Sequence, residues 1–119
     1  MNMTELIGAV RDERVTPRFV RFLIAEGAIH GPSGGRANAE YGEDHVQGIR
    51  RYLRMRDLGL SAERTKEIVA GAWTAEIPVP IAPGLTLLIH PSKLEEPISK
   101  KAIAIEIAKA VQLIKGKGD

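Results

Sequence analysis

The sequence predicts a mainly α fold with a small β part, and three observations carry that expectation. Helix start and stop signals recur through residues 1–70, at Thr4, Thr16-Pro17, Gly27, Glu43-Asp44, Gly59 and Ser61. A glycine-rich stretch, GPSGGRANAEYG at 31–42, separates them into two pairs of helices. Beyond Trp73 the chain reads EIPVPIAPGLTLLIHP, which alternates about the turn dipeptide Pro83-Gly84 and leads into a last helical spacing.

Thr4 is read as the first N-cap, with Leu6, Ile7 and Val10 on one face of a helix running to about Glu13. Thr16 caps a second helix and Pro17 takes its first position, where a missing N–H costs nothing. Phe19, Val20, Leu23 and Ile24 follow at i, i+1, i+4 and i+5, one apolar stripe, and Gly27 ends it. Two short helices across the tight Val15-Thr16 connection make a helix-turn-helix. Residues 31–42 are a loop or turn, with Ile29 and Tyr41 placed to flank a short hairpin. Glu43-Asp44 open a third helix at its positive end. Val46, Ile49, Tyr52 and Leu53 face inward there, while Arg50, Arg51 and Arg54 lie off that stripe. Ser61 supplies half of a capping box for a fourth helix from Ala62 to about Ala70, because Arg64 stands where Glu would complete it.

In the second part, Ile77, Val79 and Ile81 share one side of an extended segment, and Leu85, Leu87 and Ile89 one side of the next. Pro78 and Pro80 cannot donate ladder hydrogen bonds, so the first is an edge strand. A last helix is expected from Pro97 to Lys115. Ile103, Ile107, Ala110 and Ile114, spaced 4, 3 and 4, form its seam, fit to pack on the hairpin or on a second copy. Two units are expected, 1–72 and 73–119.

Composition narrows the function. The 119 residues carry a net charge of +2, with no cysteine and hence no disulfide, thiolate metal site or cysteine nucleophile. All ten arginines fall between Arg11 and Arg64, and six of the seven lysines after residue 90. Residues 1–70 hold eleven basic and ten acidic side chains, so an anion-binding face requires those charges to be sorted by the fold. The opening MNMTELIGAVRDERV meets charge before any long apolar run, and no run approaches a membrane span, which makes the cytoplasm the expected address. His30, His45 and His90 are scattered, Ser33 has no partner base, and Gly34-Gly35 lacks a strand-turn-helix context. No enzyme activity, cofactor or metal is expected.

The stretch from Val15 to Val69 resembles the DNA-binding domain of MerR-family regulators. Arg18 and Arg21 sit at that family's recognition-helix arginines, Phe22 at its first tyrosine, and Glu26-Gly27 at its Glu-Gly. Tyr41 takes the wing tyrosine, and Arg54-Met-Arg-Asp-Leu-Gly-Leu-Ser matches the later signature. Leu23 replaces the second tyrosine and Ala39 the wing arginine. The resemblance implies a winged helix-turn-helix over the first 70 or so residues, followed here by the β-hairpin and C-terminal helix read from their own patterns, and double-stranded DNA as partner. Arg18 and Arg21 would enter the major groove, reading guanine or clamping phosphate. Thr16 would cap and touch phosphate. Arg36 and Tyr41 would seat the wing, and Arg50, Arg51 and Arg54 would extend the phosphate track. Phe19 and Phe22 are expected in the core, and Arg56 with Asp57 as a surface ion pair. The leading function is a sequence-specific transcriptional regulator acting as a homodimer through Ile103, Ile107, Ala110 and Ile114. The alternatives are an architectural DNA-binding factor of the excisionase or phage and plasmid accessory type, and a protein–protein adaptor.

Overall fold

The computed structural model describes residues 1–35, 37–70 and 76–115. In order these form α1 (Met3–Val10), α2 (Pro17–Ala25), α3 (Glu43–Asp57), α4 (Ala62–Ala70), β1 (Ile77–Ala82), β2 (Leu85–Ile89), a 3-10 turn (Pro91–Glu95) and α5 (Lys100–Lys115). The architecture is mainly α with a small β part: a winged helix-turn-helix, then a hairpin and a C-terminal helix. The expected division at Gly71-Ala72-Trp73, like the last four residues, lies outside the described residues.

Local chemistry explains most boundaries. Thr16 Oγ1 accepts from the Phe19 N–H at 3.1 Å and Pro17 opens α2. Ser61 Oγ accepts from the Arg64 N–H at 3.1 Å ahead of α4. Gly59, at φ 95°, lies in the left-handed region that ends a helix cheaply only for glycine. The expected start of α1 is corrected. Asn2, not Thr4, is its cap, because Asn2 Oδ1 accepts from the Glu5 N–H at 2.9 Å while Glu5 Oε1 accepts from the Asn2 N–H at 3.0 Å. The same helix stops at Val10 rather than near Glu13, where Arg11 turns left-handed at φ 57°.

The wing is pinned by one antiparallel pair. Ser33 N–H donates to the Glu40 carbonyl at 3.1 Å and Glu40 N–H to the Ser33 carbonyl at 2.8 Å. That pair sits inside Ile29 and Tyr41, the expected flanks, both of which are buried in the main core. The turn needs Gly34, at φ 86°, since a side chain there would run into the Asn38 carbonyl. On the exit side, Tyr41 N–H donates to the Met1 carbonyl at 2.8 Å, fastening the wing to the front of α1.

The main core joins α1, α2 and α3 through Leu6, Val10, Val20, Leu23, Val46 and Ile49. A second core joins the end of α3 to the hairpin and the 3-10 turn through Met55, Leu60, Ile77, Ile89 and Leu94. Val69 of α4 packs against both. The expected hairpin forms, with Ile77 opposite Ile89 and Val79 opposite Leu87, and its register slips between Pro80 and Ala82. That bulge turns Ile81 out to solvent, which corrects its expected place beside Ile77 and Val79. The last helix begins at Lys100 rather than Pro97, because Ser99 Oγ accepts from the Ala102 N–H at 3.2 Å and fixes the start.

A charged clasp ties the turn before α2 to the end of α3. Arg14 bonds Asp12 at 2.8 Å and Asp57 at 2.7 Å. Asp57 is therefore engaged by Arg14, not by the expected Arg56. The hydrogen bond from Arg14 is the main cause that holds the Asp12 carboxyl below its ordinary value, against the opposing effect of burial. With the folded value depressed, the stabilisation is present above the unfolded pKa of 3.8 and is lost as pH falls through the folded one. Asp12→Asn is expected to cost about 0.2–1 kcal/mol at pH 7, the range for a solvent-accessible pair, and almost nothing in strong acid. Urea melts of both proteins across pH 2–7 check this; a constant difference across that range would exclude the clasp as its source.

Candidate nucleic-acid interface

The fold sorts the arginines into two classes. Five are committed within the protein. Besides Arg14, Arg64 pairs with Glu67 at 3.0 Å. Arg50 donates to the Ala9 carbonyl at 2.9 Å and so braces α3 on α1. Arg51 pairs with Glu95 at 3.2 Å, and Arg54 donates to the Leu94 carbonyl, so both hold the 3-10 turn against α3. Burial, with Arg50 alongside, pulls Arg54 below its ordinary pKa. The expected phosphate track along α3 thus consists of three half-buried side chains already bonded inside the molecule. Sequence pattern placed them off the apolar stripe but could not supply partners 40 or more positions away.

The other class has no side-chain hydrogen bond or ion pair among the described residues: Arg11, Arg56 and, on α2, Arg18 and Arg21. Arg18 and Arg21 are exposed, and neither has a hydrogen bond or ion pair among the described residues. They project from a helix whose N-terminus is set by Thr16, itself exposed, and whose back is locked into the core by Val20 and Leu23. At the far end Glu26 pairs with Lys66 of α4 at 2.8 Å, which fixes α2 against the second pair of helices. Two unpaired guanidinium groups on a rigid helix present planar hydrogen-bond forks to an anion or a base edge. Arg36, the expected wing cation, lies outside the described residues. Tyr41, expected to seat the wing, is buried, and its ring meets His45 edge-on at 5.3 Å.

Phe22 was missed as a surface group. Phe19 does enter the core margin, its ring 5.9 Å from Tyr52 and nearly edge-on. Phe22, expected there too, is 44% exposed, stacked on Phe19 at 6.4 Å. The clue lay in the spacing: Arg18 and Phe22 are four apart and share a face, whereas Phe19 and Leu23 lie about 100° further round, on the side that enters the core.

The proposed dimerisation residues divide along α5. Ile103 and Ile107 are half-buried and line a groove of about 620 Å³ facing Leu87 and Ile89 of β2. Ala110 and Ile114 are exposed. Val111 and Leu113 are exposed as well, as are Leu85 and Leu88 of the hairpin. Among the described residues no cluster of three or more histidines and carboxylates could hold a metal, and no helix is long and apolar enough to cross a membrane.

No match emerged among curated proteins or among solved structures. The family of MerR HTH regulatory proteins, compared as a whole, matches residues 8–72, which takes in α2, the wing, α3 and α4. That span is more than half of the chain, and the chain belongs to the MerR HTH family.

Proposed function

We propose that the protein is a sequence-specific regulator that binds double-stranded DNA as a homodimer, with α2 in the major groove. The observation that carries this reading is the pair Arg18 and Arg21, exposed and without partners among the described residues, on a helix otherwise fixed by its cap, its core face and the Glu26–Lys66 pair. A rigid helix with free guanidinium groups suits base-edge reading, since the backbone is already ordered and only the side chains are immobilised on binding. The exposed apolar residues of α5 and the hairpin support a second copy as the remaining partner. A dimer also doubles the base pairs read, which one short helix needs to single out a site.

Selection from random duplexes, followed by binding titrations with variants, tests the reading. Binding is expected to weaken steeply with salt as counterions are released from phosphate. Arg18→Ala or Arg21→Ala is expected to cost about 1–3 kcal/mol on the selected site and to relax its sequence preference, while Arg36→Ala weakens all sequences alike. Both α2 variants should keep stability within about 0.5 kcal/mol, since the side chains are exposed. A flat salt response, or uniform losses for all three variants, would refute the assignment of α2.

A further inference from the structure

Phe22 is an exposed aromatic ring at the edge of the face that carries Arg18 and Arg21. It is not a loose surface side chain. Its ring stacks on Phe19 with planes 25° apart, and Phe19 is held in turn by the buried ring of Tyr52. The series Tyr52, Phe19, Phe22 fixes the outermost ring before any partner arrives. Its other side borders a cleft of about 280 Å³ toward α4, walled by Tyr52, Ala62, Glu63 and Lys66. Glu26 at that cleft is neutralised by Lys66, which leaves the Glu63 carboxylate as the uncompensated charge there, so a phosphate backbone is favoured to meet Phe22 from the side of the arginines.

The residue types then define what the face can read. A phenyl ring has no hydrogen-bonding group and gains nothing from a phosphate oxygen or from a base nitrogen or oxygen. The apolar feature on the major-groove edges is the C5 methyl of thymine. Arg18 and Phe22 are one helical turn apart, roughly 6 Å along the axis, close to two base steps of about 3.4 Å. We infer that Phe22 is a specificity-determining residue that packs on a thymine methyl one or two base pairs from a guanine read by Arg18 or Arg21. This rests on the proposed DNA-binding function and gives it a chemical preference: guanine and thymine side by side in each half-site.

The test uses the tightest duplex recovered from a random pool, resynthesised with deoxyuridine replacing thymidine at one position at a time. This removes a single methyl and leaves every hydrogen-bonding group in place. For the full-length protein, one substitution beside the critical guanine is expected to weaken binding about three- to fivefold, the value of one buried methyl. In Phe22→Ala the thymine and uracil duplexes are expected to bind equally, and in Phe22→Leu, which remains apolar, the preference is expected to survive in part. Circular dichroism checks that both variants fold, as an exposed position allows. If wild type binds the selected duplex with a steep salt response but shows no deoxyuridine effect anywhere, the role of Phe22 is overturned and the DNA-binding reading stands. The role also falls if Phe22→Ala keeps the full preference. If no duplex binds, both readings fall together.

Discussion

Leu94→Ala is expected to destabilise the whole chain by about 2–5 kcal/mol, in a single cooperative transition. Leu94 is 0% exposed and sits in a cluster with Met55, Leu60, Ile77 and Ile89, residues drawn from α3, the segment before α4 and both strands. Its truncation removes the apolar plug and leaves a cavity between elements that are held apart by their own backbones, so collapse to fill it is incomplete. The same residue's carbonyl takes the bond from Arg54, and its neighbour Glu95 takes the one from Arg51, so loosening the 3-10 turn also strands two guanidinium groups against α3. Total stability for a chain of this size is roughly 5–15 kcal/mol, and the melting temperature should fall on the order of 10 °C or more. Calorimetry decides the issue. Two separate transitions, with the helix-turn-helix melting as in wild type, would mean that the second core does not couple the hairpin to α3.

That coupling marks where sequence reasoning reached its limit. Thr16-Pro17, Gly59 and Ser61 announce helix ends because a cap acts on a backbone N–H two or three positions away, and such effects are written locally. The hairpin's turn was legible for the same reason, since Pro83-Gly84 marks it locally, but the register beyond it was not, because the bulge between Pro80 and Ala82 shifts the pairing by one residue. The 3-10 turn at Pro91–Glu95 was not anticipated, since nothing periodic marks five residues, and its place is set by α3 rather than by its own composition. Arg50, Arg51 and Arg54 show the other side of the limit. Periodicity says which face of α3 they occupy, but their partners at Ala9, Glu95 and Leu94 are chosen by the tertiary fold. At the proposed interface, the family resemblance singled out Arg18 and Arg21, which the fold leaves exposed, while the exposure of Phe22 depends on Phe19 having taken the inner place beside Tyr52.

The second large effect is expected at α5. Ile114 is 81% exposed, with Val111 one turn-fraction back on the same side, and Ile107 and Ile103 continue the line toward the hairpin groove. Ile114→Glu places a charge in that line without touching either core, so the monomer should keep its fold and melting temperature. Under the proposed homodimer it should shift the chain to monomer in sedimentation at micromolar concentration, because an unpaired charge in a desolvated interface has no compensating partner. Ile107→Glu should act in the same direction, with some loss of stability added because that side chain is half-buried at the groove. Affinity for a duplex carrying two half-sites should then fall by about a hundredfold or more, the gain normally given by tethering two binding units, while affinity for a single half-site stays as in wild type. A wild type that sediments as a monomer, or an Ile114→Glu protein that remains dimeric, would remove α5 from the interface. Retention of half-site binding in the monomeric variant is the sharper observation, since it separates the contribution of α2 to recognition from that of dimerisation to affinity.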